Sequence, residues 1–332
     1  MKKKQRIKLI VIAAALLLVL ASFLIVIAVI DNNVKKSEQD RVNRANDTEG
    51  AVYLGDKMYV PNNNLETLLL IGTDMDEARR ENGRQYSQAD FIALVVLDKV
   101  KKSFKVIHIN RDTMTDVDIL DEMGNVTGTS KLQITLSYAY GADSTAACKN
   151  TVKAVKNLLY GIRIDHYLAM TMDAIPILND SIGGVTVELL EDFTELGPEF
   201  VKGAKVTLNG KQAMRYIQER SSTYEFSNLS RMERQQQYVS AFFDQYKASE
   251  NVEVEETYKK VAEYLTSNCT MDQVTRLIEL MMESYTNEGV VSLEGEAKVG
   301  TEFIEYYPDE TKLQQLIMDV FYKESKISAT AE

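Results

Sequence analysis

TLLLIG at Thr67–Gly72, DFIALVVLD at Asp90–Asp98 and SFKVIHIN at Ser103–Asn110 are three short apolar runs in quick succession. Runs of this length bounded by polar residues are the pattern of buried strands. The polar Lys99–Lys102 between the second and third reads as a hairpin connection. Downstream the period changes to helical, over about 145–160, 173–182 and 209–219, the last opened by the good capping residue Asn209. Asp165–Thr171 and Val185–Leu189 return to a strand pattern, the second entered through Ser181-Ile182-Gly183-Gly184. Ser230–Tyr246 predicts a strong helix, with Met232, Val239, Phe242, Phe243 and Tyr246 on one side. Helices over about 253–267, 271–286 and 310–323, with a strand near 289–293, complete the chain. Strands interleaved with helices predict an α/β fold, a mixed central sheet flanked by helices.

Upstream of this domain the character of the chain is different. Lys2, Lys3, Lys4, Arg6 and Lys8 lie within the first eight residues, which hold no acid. The rest of the chain therefore carries five units more negative charge than the overall −11. Leu9 to Ile30 then runs without a single charge. As a helix it reaches ~33 Å, enough to cross a hydrocarbon core. A cleaved signal peptide has a shorter apolar region, and no small-x-small cleavage pattern closes this one. The expectation is a cytoplasmic stub (1–8), a transmembrane helix (9–30) and an extracytoplasmic stalk (31–64). A domain over 65–323 and a flexible tail over 324–332 follow. The basic flank places the domain outside the cell membrane, as a single-pass protein.

Composition removes several chemistries. With 332 residues, 45% of them hydrophobic, the chain has enough material for a sizeable core and is too apolar to be disordered. Two cysteines, Cys148 and Cys269, make neither a disulfide scaffold nor a four-thiolate zinc site. His108 and His166 leave almost nothing for a histidine metal cluster and have no adjacent Ser or Cys nucleophile pattern. Any metal is bound mainly by oxygen, which puts magnesium or calcium ahead of zinc. The net charge of −11 argues against a nucleic-acid partner.

Two clusters remain. Asp74 follows the first strand, Asp90 opens the second, and Arg111 and Asp112 follow the third. If the first two strands are antiparallel neighbours, these residues converge at one rim of the sheet. Two carboxylates with water and a phosphate make a magnesium shell, and an arginine beside them suits a phosphoryl oxygen. Acids at strand ends are also ordinary turn residues, so position alone does not choose between the readings. The second cluster is Arg231, Arg234 and Gln235, at i, i+3 and i+4 on the helix face away from the apolar stripe, with Arg220 ahead of them. Arginines near a helix N-terminus suit an anion, and the same residues also fit a solvated basic face.

At this point the order of motifs resembles a family. LLLIGTD (68–74), INRDT (109–113), KLQITLSYAYGA (131–142), IDHYLAM (164–170), GGV (183–185), LNGKQAMRYIQER (208–220), SRMERQQQ (230–237) and YYPDETKLQQLI (306–317) look like a LytR–CpsA–Psr (LCP) protein. The resemblance implies an extracytoplasmic α/β domain whose apolar pocket holds a polyprenyl tail. It implies transfer of a glycopolymer (teichoic acid, capsule or similar) from undecaprenyl pyrophosphate to peptidoglycan in a Gram-positive envelope. By that likeness Asp74 and Asp90 hold Mg²⁺ or Mn²⁺ and, with Arg111, carry the chemistry. Arg111, Arg220, Arg231 and Gln235 match positions that meet the pyrophosphate, and Arg234, on the same helix face, is counted with them as a candidate substrate contact.

The chain also departs from the pattern. Gln88 and Gln218 stand where arginines are usual, Asn228 stands for an acid, Asp76 for an arginine, and Asn110 for the proline of PRD. Glutamine supplies no charge to a phosphate, so weaker pyrophosphate binding is expected at Gln88 and Gln218. Three expectations follow: a divergent Mg-dependent glycopolymer–peptidoglycan phosphotransferase, a non-catalytic paralogue that binds lipid-linked wall precursors as regulator or scaffold, and a polyprenyl-pyrophosphate phosphatase.

Overall fold

The computed structural model of the chain describes residues 50–54, 57–75, 87–219, 227–249 and 252–325. The expected stub and transmembrane helix, residues 31–49 of the stalk, Asp76, Arg220 and residues 326–332 lie outside the described residues. Among the described residues no helix is long and apolar enough to cross a membrane.

Along the chain come β1 (Val52–Leu54), β2 (Lys57–Pro61), β3 (Leu65–Thr73), β4 (Ala89–Asp98), β5 (Ser103–Ile109), β6 (Met114–Leu120) and β7 (Val126–Gln133). The middle of the chain holds α1 (Leu136–Ala139), α2 (Ser144–Leu158), β8 (His166–Met170), α3 (Ala174–Ser181), β9 (Val185–Glu188), β10 (Lys205–Leu208), α4 (Gly210–Gln218) and α5 (Ser227–Ala248). The last part holds α6 (Val254–Val261), β11 (Leu265–Ser267), α7 (Met271–Glu279), β12 (Thr286–Ser292), β13 (Gly295–Val299), β14 (Ile304–Pro308), α8 (Glu310–Phe321) and β15 (Tyr322–Glu324).

These elements fall into two units. The first, Met1–Asn62 with Tyr322–Glu332, contains a three-stranded antiparallel sheet with β2 between β1 and β15. Residues 52–54 and 57–61, expected in a stalk, thus form strands, and Tyr322 and Lys323, expected at the end of the last helix, join Glu324 in a strand. The reason is visible in KMYVP, where Met58 and Val60 are buried and alternate with more exposed neighbours.

The second unit, Asn63–Phe321, is built on a six-stranded sheet in the order β11-β8-β3-β4-β5-β12. β3, β4 and β5 are antiparallel neighbours, whereas β8 is parallel to β3 and β12 to β5. The sheet is therefore mixed, with helices against it, as the alternating pattern predicts. The hairpin at Lys99–Lys102 is present: Asp98 pairs with Ser103, and the Asp98 carboxylate accepts from the amides of Val100 and Lys101. β4 reads as an unbroken apolar run because Leu94, Val95, Val96 and Leu97 are all buried, on both faces. On one face Leu68, Ala93, Val95, Phe104 and Val106 pack against Phe243 of α5 and Val274 and Leu277 of α7. α1 packs on β4 and α2 on β8 and β11.

Two expected helices are shorter than their periodicity implies. The helix over 253–267 stops at Val261, and Leu265–Ser267 joins the sheet edge beside β8. The helix over 271–286 ends at Glu279, followed by a π-helical turn over Leu280–Ser284 and then β12. The β6–β7 and β13–β14 hairpins have no counterpart in the sequence reading, because β7 and β13 are largely exposed and lack an apolar alternation.

Glu66 on β3 is a buried carboxylate that stays charged. Lys99 Nζ lies 3.2 Å and His166 Nε2 3.1 Å from it, and Arg276 of α7 donates to both oxygens. Burial by itself raises its pKa, but the hydrogen bonds from Arg276 and Lys99 outweigh burial and hold it at about 2. Against the ordinary 4.5, this contribution to stability is complete above pH 4.5 and is lost as pH falls towards 2. It amounts to about 2 kcal/mol after allowance for the exposed cations. Glu66→Gln should lower the melting temperature at neutral pH and flatten its fall in the acid range, measured by thermal denaturation across pH.

Candidate functional site

The rim of the sheet is shaped by one irregularity. β3 and β4 pair in register from Leu65 with Asp98 to Gly72 with Phe91, and the next pair is Thr73 with Ala89. Asp90 is therefore the extra residue of a β-bulge, a device that re-aims a side chain at a sheet edge. A Cβ at position 72 would lie 2.9 Å from the Phe91 Cβ, so the two strands approach this closely only because residue 72 is glycine. Just past β3, the Asp74 amide donates to the Gln88 carbonyl at 3.1 Å, and Asp74 Oδ1 accepts from Ser87 Oγ at 3.0 Å and the Gln88 amide at 2.8 Å.

From the bulge Asp90 meets two guanidiniums. Its Oδ1 accepts from Arg111 Nη1, and its Oδ2 from Arg231 Nη1 at 3.0 Å. Arg231 Nη2 donates to Asn228 Oδ1 at 2.7 Å, and Asn228 Nδ2 donates to Asp112 Oδ2 at 2.8 Å. Asp112 Oδ1 stands 3.4 Å from Arg111 Nε, which closes a ring of five side chains. Arg111 Nη2 also donates to Gln88 Oε1 at 2.7 Å. All of these side chains except that of Gln88 are at least nine-tenths buried or close to it. At such burial charged groups persist only when paired and hydrogen-bonded.

The turn after β5 supplies the other side of the ring. Asn110 Oδ1 accepts from the Asp112 amide and from Asn228 Nδ2, both at 2.9 Å, so a carboxamide side chain shapes the turn from within. Gln133, the last residue of β7, donates to Asp112 Oδ1 at 3.0 Å and to the Ile304 carbonyl at 2.7 Å. Gln133 was invisible to sequence reasoning, since nothing in the spacing of KLQIT connects it to residue 112.

The face of α5 that carries Arg231, Arg234 and Gln235 is not solvated; all three are buried. Arg231 turns to the ring, while the other two turn to the end of α4. Arg234 donates to the carbonyls of Tyr216 and Glu219, pairs with Glu191 at 2.8 Å, and lies over the rings of Phe193 and Tyr216 at 5.0 and 5.7 Å. Gln235 Nε2 donates to the Ile217 carbonyl at 3.2 Å. The last carbonyls of a helix lack intrahelical donors, and these side chains supply them. Arg234, expected to meet substrate, is thus a buried anchor of α4. Gln218 is half-buried at the end of α4, and Arg220 lies outside the described residues.

His108 is buried on β5, its ring 4.8 Å from that of Phe91. Burial first, and the charge of Arg231 second, push its pKa down to about 3. It is a neutral core residue. His166 pairs with Glu66, at the other end of β3 from Asp74. Both cysteines are free, Cys148 buried and Cys269 half-buried.

Among the described residues no three or more Asp, Glu, His or Cys side chains gather for a metal. The rim offers two carboxylates, Asp74 and Asp90, and each ionised oxygen has more than one lone pair, so its hydrogen bonds do not exhaust it. Oxygen donors of this kind suit a small hard cation that keeps several waters.

The described site is thus a ring of arginines, carboxylates and a carboxamide at the rim of the mixed sheet of an α/β protein. The LytR_cpsA_psr family matches residues 25–320, and the chain belongs to that family. The Bacillus subtilis (strain 168) polyisoprenyl-teichoic acid–peptidoglycan teichoic acid transferase TagV is 24% identical over 292 residues, 83% of this chain and 70% of the relative. The Bacillus licheniformis transferase of the same description, TagU, is 24% identical over 263 residues, 79% of this chain and 78% of the relative. The crystal structure of B. subtilis TagV superposes with a TM-score of 0.58 at 23% identity, covering 78% of this chain and 96% of that one. TagT bound to LIIa-WTA gives 0.59 at 21% identity, covering 78% and 90%. These likenesses show the fold.

Gly72→Ala forces the bulge to shift, and should cost about 1–3 kcal/mol in chemical denaturation.

Proposed function

We propose that this chain is a membrane-anchored extracytoplasmic phosphotransferase that moves a glycopolymer from a polyprenyl pyrophosphate to peptidoglycan. The observation that carries the reading is the Asp90 carboxylate held by Arg111 and Arg231 at the same rim as Asp74, groups of the kind that suit phosphoryl oxygens. Relatives named as teichoic acid transferases supply the class of reaction. At the same end of the strands Leu70, Phe91 and Met170 are half-buried, apolar surface of the kind a polyprenyl tail covers.

In this reaction an acceptor hydroxyl attacks the phosphorus that bears the glycopolymer. A new P–O bond forms, the P–O bond to polyprenyl phosphate breaks, and the hydroxyl proton passes to a rim carboxylate, Asp74 or Asp90. Arg111 and Arg231 orient the phosphates and offset charge on the leaving group. Asp74 and Asp90 would hold Mg²⁺ or Mn²⁺, which supplies further charge neutralisation when bound. The uncharged run 9–30 would anchor the chain, with the domain facing the wall.

A second reading, a binder of lipid-linked precursors without turnover, is favoured by the carboxamides Gln88, Gln218 and Asn228 at positions where the family resemblance implies charge.

The test uses the full chain in detergent with a polyprenyl-pyrophosphate-linked sugar, Mg²⁺ and peptidoglycan fragments, following polyprenyl phosphate. Acceptor-dependent release is expected, stopped by chelation and restored by Mg²⁺ or Mn²⁺. Asp74→Asn should lower kcat about a hundredfold or more. Release without acceptor would make the protein a pyrophosphatase, and bound lipid with no release a binder.

A further inference from the structure

Both arginines of the ring are donors only, so whatever holds them must present oxygen. Gln88 does so for Arg111, and Asn228 does so for Arg231, each at 2.7 Å. The orientation of Asn228 is unambiguous: its Oδ1 faces a guanidinium and its Nδ2 faces the Asp112 carboxylate. A carboxylate at 228 would put two anions within hydrogen-bond distance. An arginine at 88 would set two guanidiniums against each other where one now donates.

We propose that Gln88 and Asn228 are positioning residues that hold Arg111 and Arg231 in place on Asp90, and that their lack of charge is required by the partners they face. They are not vacated phosphate ligands. This rests on the function proposed above for its reaction, but not for its geometry. Each guanidinium is held on Asp90 and on a carboxamide, and Arg111 also stands beside Asp112. A planar fork held in this way keeps one orientation, which is where the catalytic advantage of a fixed donor arises. Asn228 also passes the constraint on, since Asp112 is itself held by Gln133.

The first experiment is calorimetric binding of inorganic pyrophosphate with Mg²⁺ to the full chain in detergent, for wild type, Gln88→Arg and Gln88→Met. Positioning predicts that both variants bind about tenfold more weakly or worse, although one of them gains a positive charge. Tighter binding by Gln88→Arg would overturn the proposal, because it would show a missing phosphate ligand. Affinity unchanged in Gln88→Met would overturn it as well.

The second experiment exchanges the pair. Asn228→Asp alone should lose affinity, and adding Asp112→Asn should recover most of it by restoring a carboxyl–carboxamide contact. A double variant no better than the single one counts against the relay. Melting temperatures separate loss of fold from loss of orientation, since a purely stabilising role would lower them and leave the affinity of the folded protein unchanged. Where transfer is observed, the same variants should lower kcat more than they raise KM. If the wild type binds pyrophosphate but never transfers, the proposed reaction falls and the affinities still decide the positioning role. If the wild type does not bind pyrophosphate, the positioning role falls too.

Discussion

One carboxylate held between two guanidiniums constrains most of the second unit. Asp90 sits where water is largely excluded, and an ion pair there is stable only when hydrogen-bonded neighbours support it. That support comes from four places: the bulge on β4, the turn after β5, the end of β7 and the first turns of α5. Each of these elements ends where it does in a way that serves the ring. The glycine at 72 permits the bulge, and the asparagine at 110 folds the turn that brings Arg111 and Asp112 round to the same side.

α5 joins this ring to the rest of the fold. Its apolar side packs Phe243 and Val239 against the sheet, while Asn228 and Arg231 reach the ring. One turn on, Arg234 and Gln235 close the carbonyl end of α4. A single helix therefore fixes the ring relative to the sheet and relative to α4. The aromatic rings of Phe193 and Tyr216 against Arg234 let that guanidinium be buried completely, through cation–π contact as well as hydrogen bonds.

Much of this was legible in the chain and some was not, for physical reasons. The strands β3, β4 and β5 announce themselves as dense apolar runs because most of their residues on both faces are buried. Asp74, Asp90, Arg111 and Asp112 fall at the ends of these runs; the hairpin brings Asp90 beside Arg111 and Asp112, and Asp74 joins them through the antiparallel pairing of β3 with β4. Arg231 and Arg234 stand three apart on one helix and look alike in sequence, yet one meets a carboxylate and the other a helix end. Which is which depends on where α4 stops, a tertiary fact. The exposed strands β1, β7 and β13 carry too little buried apolar surface to leave a period, and in β2 the alternation of Met58 and Val60 is only five residues long. Carboxamides are the least legible of all: Gln88, Asn110, Gln133 and Asn228 acquire their roles only from the charges they face.

Charge balance ties the proposed chemistry together. The ring and its neighbour bring three carboxylates, Asp74, Asp90 and Asp112, against two guanidiniums, Arg111 and Arg231. That set is already one unit negative before any substrate arrives. A pyrophosphate ester adds more negative charge, and two like charges a few ångströms apart in a partly dry site repel by several kcal/mol. The charge of the two arginines is already counted in that sum, and the amides at 88 and 228 add nothing to offset the deficit. The proposed divalent cation on Asp74 and Asp90 would reverse the sign of the set and make the same rim attractive to phosphate. Uncharged side chains around the arginines would therefore make the proposed metal more important here, because it would bring the charge they do not supply.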